Sequence, residues 1–179
     1  MVRYRVQIPP PPPKLPIRFI RVGSFFAGIG SVGGMDIRLR RIEDLSECVE
    51  MLREVHESDG YPNNWPEDPA AWLTPSGTVS ALVAEHDGQL RGHLVLIERD
   101  DALWVSRLFV GPSARGSRVG EALLRRARER GTLMLDVIEQ SEQAIKLYER
   151  TGWTLLTTRP ADWTMGDGTR PIERIYTTN

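Results

Sequence analysis

Three strand-like runs, Val79–Glu85, Leu90–Glu98 and Leu103–Val110, succeed one another with only short turns between them. Asp87-Gly88 separates the first pair and Asp100-Asp101 the second. An Asp-Gly pair readily takes the positive φ angles of a tight hairpin turn. Parallel neighbours need a crossover of about a dozen residues or more, so connections this short join antiparallel strands. The middle of the chain is therefore committed to an antiparallel meander.

The flanking segments supply the other layers. Ile37, Leu39 and Ile42 suggest a strand leading into a helix, and Leu45, Cys48, Val49, Leu52 and Val55 recur at helical spacing. Asp44 with Glu47 three residues on predicts an N-terminal cap for that helix. Asp59-Gly60 ends it, a loop rich in proline and asparagine comes next, and a short helix is expected around Pro69–Leu73. Beyond the meander, Val119, Ala122, Leu123 and Ala127 mark a helix, Leu133, Leu135 and Val137 a strand, and Ala144, Ile145, Leu147 and Tyr148 another helix. Trp153–Thr158 and Ile175–Thr178 read as closing strands. The predicted order is β-α-α-β-β-β-α-β-α-β-β, an α+β fold with a mixed, mostly antiparallel twisted sheet flanked by helices.

Residues 1–34 read differently. Pro9–Pro13 is an uninterrupted proline run, and Gly23, Gly28, Gly30, Gly33 and Gly34 punctuate the residues after it. Such a stretch offers little to offset the entropy of ordering, so residues 1–34 are expected to be a flexible leader and residues 35–179 the folded domain. The prolines also argue against a secretory signal, which leaves a cytoplasmic protein as the default expectation. No run of apolar residues is long enough to span a bilayer, and the formal net charge of -1 gives no general attraction to membranes or nucleic acid. The single cysteine lies on the apolar stripe of the first helix and reads as a buried side chain. With three scattered histidines besides, no metal site is expected.

One stretch departs from this neutral background. Between Arg115 and Arg130, Arg115, Arg118, Arg125, Arg126, Arg128 and Arg130 stand against only Glu121 and Glu129. The stretch opens with Leu108-Phe109-Val110, a turn of small residues, then Arg115-Gly116-Ser117-Arg118-Val119-Gly120-Glu121. A strand that turns through glycines into a helix start presents unpaired backbone N–H groups and the positive end of a helix dipole. Added arginines suit it to a pyrophosphate. The residue order fits neither the P-loop nor the dinucleotide fingerprint.

These residues resemble the GNAT superfamily of acetyltransferases. Its loop pattern [QR]-x-x-G-x-[GA] is met by Arg115 at the first position and Gly120 at the last, with Arg118 in place of the middle glycine. A second stretch, Ser141 to Trp153, is similar to the family's N-x-x-A-x-x-x-Y-x-x-x-G-F, with Ser141 for asparagine and Trp153 for phenylalanine. The resemblance runs from about Met35 to the C-terminus. It implies an enzyme that moves an acetyl group from acetyl-CoA to a primary amine of a small molecule, peptide or protein. A non-catalytic acyl-CoA-binding module is the alternative, and a homodimer is left open.

The resemblance also assigns residues. Leu108, Phe109 and Val110 would offer backbone groups to the pantetheine arm, with the N–H of Phe109 or Val110 as oxyanion donor. Arg115, Gly116, Ser117, Arg118, Val119, Gly120 and Glu121 would hold the pyrophosphate, with Ser141 capping the late helix and touching the cofactor. Tyr148 matches the general-acid position. Ser106 stands where many relatives carry a basic glutamate and would act in catalysis by holding a water, with Glu85, His93, Glu98, Asp100, Asp101 or a water chain as proton acceptors. The acceptor would enter beside Tyr61, Asn64 and Trp65, with Asp162-Trp163-Thr164 and the Gly166-Asp167-Gly168 turn as the opposite wall.

Overall fold

The computed structural model describes residues 34–178. The expected leader thus lies outside the described residues, apart from Gly34. Strand β1 (Met35–Leu39) opens the fold, followed by helices α1 (Leu45–Asp59) and α2 (Pro69–Trp72). The meander comes next, as β2 (Thr78–His86), β3 (Gln89–Arg99) and β4 (Ala102–Val110). Helix α3 (Val119–Arg128), strand β5 (Leu133–Ile138), helix α4 (Glu142–Arg150) and strands β6 (Thr154–Pro160) and β7 (Ile172–Thr177) complete it. The element order is the expected one.

All seven strands form one sheet in the order β1-β2-β3-β4-β5-β7-β6. Every neighbouring pair is antiparallel except β4 and β5. Strand β7 inserts between β5 and β6 and leaves β6 exposed at the edge, where Pro160 ends it. Proline is tolerated at such an edge because no neighbour needs its missing N–H.

Alternation along the strands feeds two cores, one on each face. On one face Leu82, Ala84, Leu94, Leu96 and Val105 pack with Val119, Leu123, Leu124 and Ala127 of α3 and with Tyr148 and Trp153. On the other, Val83, Leu90 and Phe109 pack with Cys48, Met51, Leu52 and Val55 of α1. Helix α1 stops where Gly60 takes φ +70 and returns its N–H to the carbonyl of His56, the usual left-handed glycine stop. Cys48 is fully buried, and burial pushes its thiol up to about 12, so it is a packing residue. Among the described residues no helix is long and apolar enough to cross a membrane.

The predicted cap of α1 is corrected. Asp44 stands at the N-cap, but its side chain makes no capping bond to the helix. Its carboxylate instead takes two hydrogen bonds from the Arg38 guanidinium, at 2.7 and 2.9 Å, and the Arg41 N–H at 2.5 Å. Glu47 does not close a capping box either, because its carboxylate accepts the Leu90 N–H at 2.7 Å. A charge-assisted pair with a neighbouring strand outcompetes a local cap.

Helix α3 lies unusually close to β3. A Cβ on Gly92 would sit 2.7 Å from Val119 Cγ1 and 3.1 Å from the Phe109 carbonyl oxygen. Gly92→Val is expected to destabilise the domain by about 1–3 kcal/mol through overpacking, as read by urea unfolding.

Candidate active site

Strands β4 and β5 share only three register pairs, Leu103 with Leu133, Trp104 with Met134 and Val105 with Leu135. Past that point β5 pairs on its other side with β7, out to Ile138 opposite Glu173. Strand β4 continues on β3, with Phe109 opposite His93 and Val110 opposite Gly92. The two strands therefore splay, and Ser106–Val110 carry no ladder on the β5 side. That open backbone edge forms one wall of a wedge.

An irregularity shapes this wall. The register slips by one residue between His93 and Val95, and Arg107 takes φ 52 within the extra length of β4. Such a bulge bends the strand and resets the side-chain alternation. Leu108 and Val110 face the α3 core and Phe109 the α1 core. Behind the bulge lies His93, fully buried. Its Nε2 is 2.9 Å from the Arg40 guanidinium, which can only donate, so Nε2 accepts. The proton then sits on Nδ1, which donates to the Arg107 carbonyl at 3.0 Å. Burial is the main reason the imidazole pKa is pushed down to about 3. With both nitrogens engaged, His93 pins the bulge and is no proton acceptor.

From the bulge the chain passes through a 3-10 turn at Pro112–Ala114 into the loop before α3. Gly116 takes φ +77, with open space where a Cβ would be. Ser117 closes the turn through its hydroxyl, which donates to the Ala114 carbonyl. Arg118 takes φ 61, the left-handed conformation that a glycine adopts freely and that costs another residue roughly 1 kcal/mol. The first helical bond is from Ala122 N–H to the Arg118 carbonyl at 3.0 Å. The N–H groups of Val119, Gly120 and Glu121 precede it and have no partner within the helix.

Three residues of the expected phosphate loop also have structural work. The Arg115 guanidinium is held by Ser58 Oγ at 2.6 Å and Asp59 Oδ2 at 2.7 Å, bracing the loop against the end of α1. Gly120 lets α4 approach, since a Cβ there would meet Leu147 Cδ2 at 3.1 Å. Glu121 pairs with Arg150 of α4 at 3.0 Å.

Helix α4 buries Tyr148 in the core that also takes Leu108 and Val110 of β4. Its ring packs edge-on to Trp153, with centroids 5.9 Å apart, and lies 6.2 Å from Tyr176. Its hydroxyl has no hydrogen-bond partner among the described residues. Burial, with smaller contributions from Tyr61 and Asp136, pushes its pKa well above the ordinary phenol range. Ser141 stands at the N-cap of α4 but makes no side-chain cap bond, contrary to expectation.

The face of the sheet beneath α1 and α2 supplies the second wall. Tyr61 lies edge-on to Trp72 at 5.9 Å and near Phe109 at 6.5 Å, and burial pushes its phenol up to about 12. Asn64 Nδ2 donates to the Thr164 carbonyl at 3.4 Å, so the α1–α2 loop and the β6–β7 loop meet. Trp65 is packed against α1, with the His56 ring at 5.2 Å and the Arg53 guanidinium at 5.5 Å. Trp163 donates its indole N–H to Glu173 at 2.9 Å.

Comparison with known proteins agrees with this geometry. The family model for the acetyltransferase (GNAT) family matches residues 44–153. The chain belongs to the GNAT family. No curated protein matches it significantly. Among solved structures, YncA from Salmonella typhimurium with its cofactor acetyl-CoA aligns at a TM-score of 0.64 and 21% identity, over 82% of this chain and 94% of that one. The ribosomal-protein-alanine N-acetyltransferase from Brucella melitensis aligns at 0.62 and 21%, over 79% and 98%. A GNAT acetyltransferase from Streptococcus pneumoniae aligns at 0.62 and 18%, over 80% and 98%.

Within this GNAT domain, two residues that sequence reasoning passed over stand in the wedge. Asp136 of β5 influences Tyr61, Arg107 and Tyr148 electrostatically. Its Oδ1 accepts from Arg99 at 2.6 Å. The sequence signal was a lone carboxylate in the apolar run Leu133–Ile138. Arg107 was hidden because a bulge has no local pattern. Of the other acceptor candidates, Glu85 is tied to Arg38 at 2.7 Å, and Glu98, Asp100 and Asp101 lie toward the β3–β4 turn, where β4 and β5 are still paired. Ser106 sits at the mouth of the splay, opposite Val95.

His93 titrates far below its unfolded value of about 6.5, so the unfolded chain binds the extra proton first as pH falls. Its stabilising contribution is complete above that value and is lost progressively toward the folded pKa of about 3. Between pH 6 and pH 4 the domain should therefore lose up to about 1.4 kcal/mol per pH unit through this group. Urea unfolding across that range should show a shallower slope for His93→Gln.

Proposed function

We propose that the chain catalyses direct transfer of an acetyl group from acetyl-CoA to a primary amine. The observation that carries this reading is the convergence of the splayed β4 edge, the free N–H groups opening α3 and the Tyr148 phenol on one wedge. The backbone of Leu108, Phe109 and Val110 serves the pantetheine arm. Gly116, Ser117, Arg118, Val119, Gly120 and Glu121 surround the pyrophosphate, and Arg115 braces them. Ser141, whose hydroxyl makes no cap bond, remains available to the cofactor.

The amine nitrogen attacks the thioester carbonyl carbon and forms the C–N bond, and charge moves onto the oxygen. A backbone N–H of Phe109 or Val110 stabilises that charge. The C–S bond then breaks, and Tyr148 gives its proton to the departing sulfur. A phenol whose pKa burial has raised is protonated throughout the neutral range and serves as an acid, not a base. The proton lost by the amine passes to Asp136, whose Oδ2 has no partner among the described residues, through water beside Ser106. This carboxylate takes the part that the strand-four glutamate plays in relatives. Tyr61 and Asn64 line the acceptor mouth, and Trp65 supports the loop that carries them.

The alternative, a binding module without turnover, predicts acetyl-CoA affinity and no thiol release. Tyr148→Phe should lower turnover by about 100-fold or more with little change in acetyl-CoA affinity, measured by thiol release and calorimetry. Asp136→Asn should slow turnover comparably. Unaltered rates in both variants would remove this proton path.

A further inference from the structure

Arg107 differs from Arg38, Arg40, Arg99 and Arg159 in how little of its guanidinium is engaged. Arg38, Arg99 and Arg159 each face a carboxylate, at 2.7, 2.6 and 3.4 Å. Arg40 lacks one, but three of its donors go to the Leu73 carbonyl, Thr74 Oγ1 and His93. Arg107 uses only its Nε–H, which donates to the Trp72 carbonyl at 3.1 Å. Its guanidinium carbon lies 3.9 Å from the centroid of the Trp72 ring. Of five donors, the four on the two terminal nitrogens have no acceptor among the described residues, and these form the fork that matches a carboxylate.

The residue is also held from behind. Its backbone is pinned by His93 through the Arg107 carbonyl, and its left-handed φ sits in the bulge that opens the wedge. A strained conformation fixed by a buried hydrogen bond and an aromatic stack is a preorganised one. Burial disfavours the charge on this guanidinium, and the electrostatic support of Asp136 and Tyr61 only partly offsets it. A ligand anion would complete what the chain leaves undone. Trp72, over which the fork stacks, lies edge-on to Tyr61 at 5.9 Å, and Tyr61 lies 6.5 Å from Phe109, so the fork stands beside the acceptor mouth and the splayed end of β4.

We infer that Arg107 is the carboxylate subsite of the acceptor, and that the acceptor is a free amino acid. The inference rests on the acetyl-transfer reading and narrows it. The fork takes the carboxylate side-on against the Trp72 ring, while the amine of the same small molecule points toward Asp136. In a peptide or protein N-terminus, the α-carboxyl group next to the amine is an amide and has no charge to offer. A polyamine carries no carboxylate at all.

The test uses acetyl-CoA with the twenty L-amino acids, their decarboxylated amines and their amides. Free thiol is followed for turnover, and calorimetry follows binding of the same compounds to the CoA-loaded protein. At least one amino acid should exceed its matched amine and amide by about 10- to 100-fold in kcat/KM, mostly through KM. In Arg107→Gln that preference should fall toward unity, and Arg107→Lys, which keeps the charge and loses the fork, should recover part of it. Retained acetyl-CoA binding certifies that each variant is folded. Amines or amides that match their amino acids overturn the inference, as does a preference that survives in Arg107→Gln. Acetyl-CoA binding without binding or turnover of any amino acid overturns it too. A chain that binds no acetyl-CoA refutes the acetyl-transfer reading instead.

Discussion

Strands β4 and β5 run side by side for three register pairs and then part, because each has a better partner on its far side. Strand β4 keeps to β3 to the end of the meander, and β5 keeps to β7. Backbone groups that lose a ladder partner must find another or face solvent. Here they line a cleft, and the rest of the fold is arranged around that cleft. The loop into α3 follows directly from the freed end of β4, Tyr148 of α4 packs in the same core as Leu108 and Val110, and the α1–α2 loop meets the β6–β7 loop.

The meander and the helices were legible because each rests on local signals. Asp87-Gly88 turns the chain with φ angles of 51 and 74. The apolar stripes of α1 and α3 are the buried faces. The splay was not legible, because it depends on β7, much later in the chain, inserting beside β5, and no local pattern records that choice. Asp136 illustrates the consequence. In sequence it is one polar residue in an apolar strand, and only the pairing shows that it is the first residue of β5 beyond the last β4–β5 pair. Asp44 illustrates the reverse error, a sound local signal overruled by Arg38 from the neighbouring strand.

The phosphate loop shows how one sequence pattern carries two demands. Its family resemblance concerns ligand contact, yet Arg115 and Gly120 here also settle how the loop meets α1 and α4. Arg118 holds the backbone shape expected of glycine without being one. The pattern is thus a statement about backbone conformation, which a charged side chain can satisfy at a modest cost in strain.

The contacts between α3 and α4 have a mechanical consequence. Gly120 admits Leu147, and Glu121 holds Arg150, within the first turn of α3. Leu147 and Arg150 flank Tyr148 on the same short helix. The position of the α3 start and that of the phenol are therefore tied to each other. A shift of one helix against the other would displace the N–H groups that open α3 and the Tyr148 phenol together.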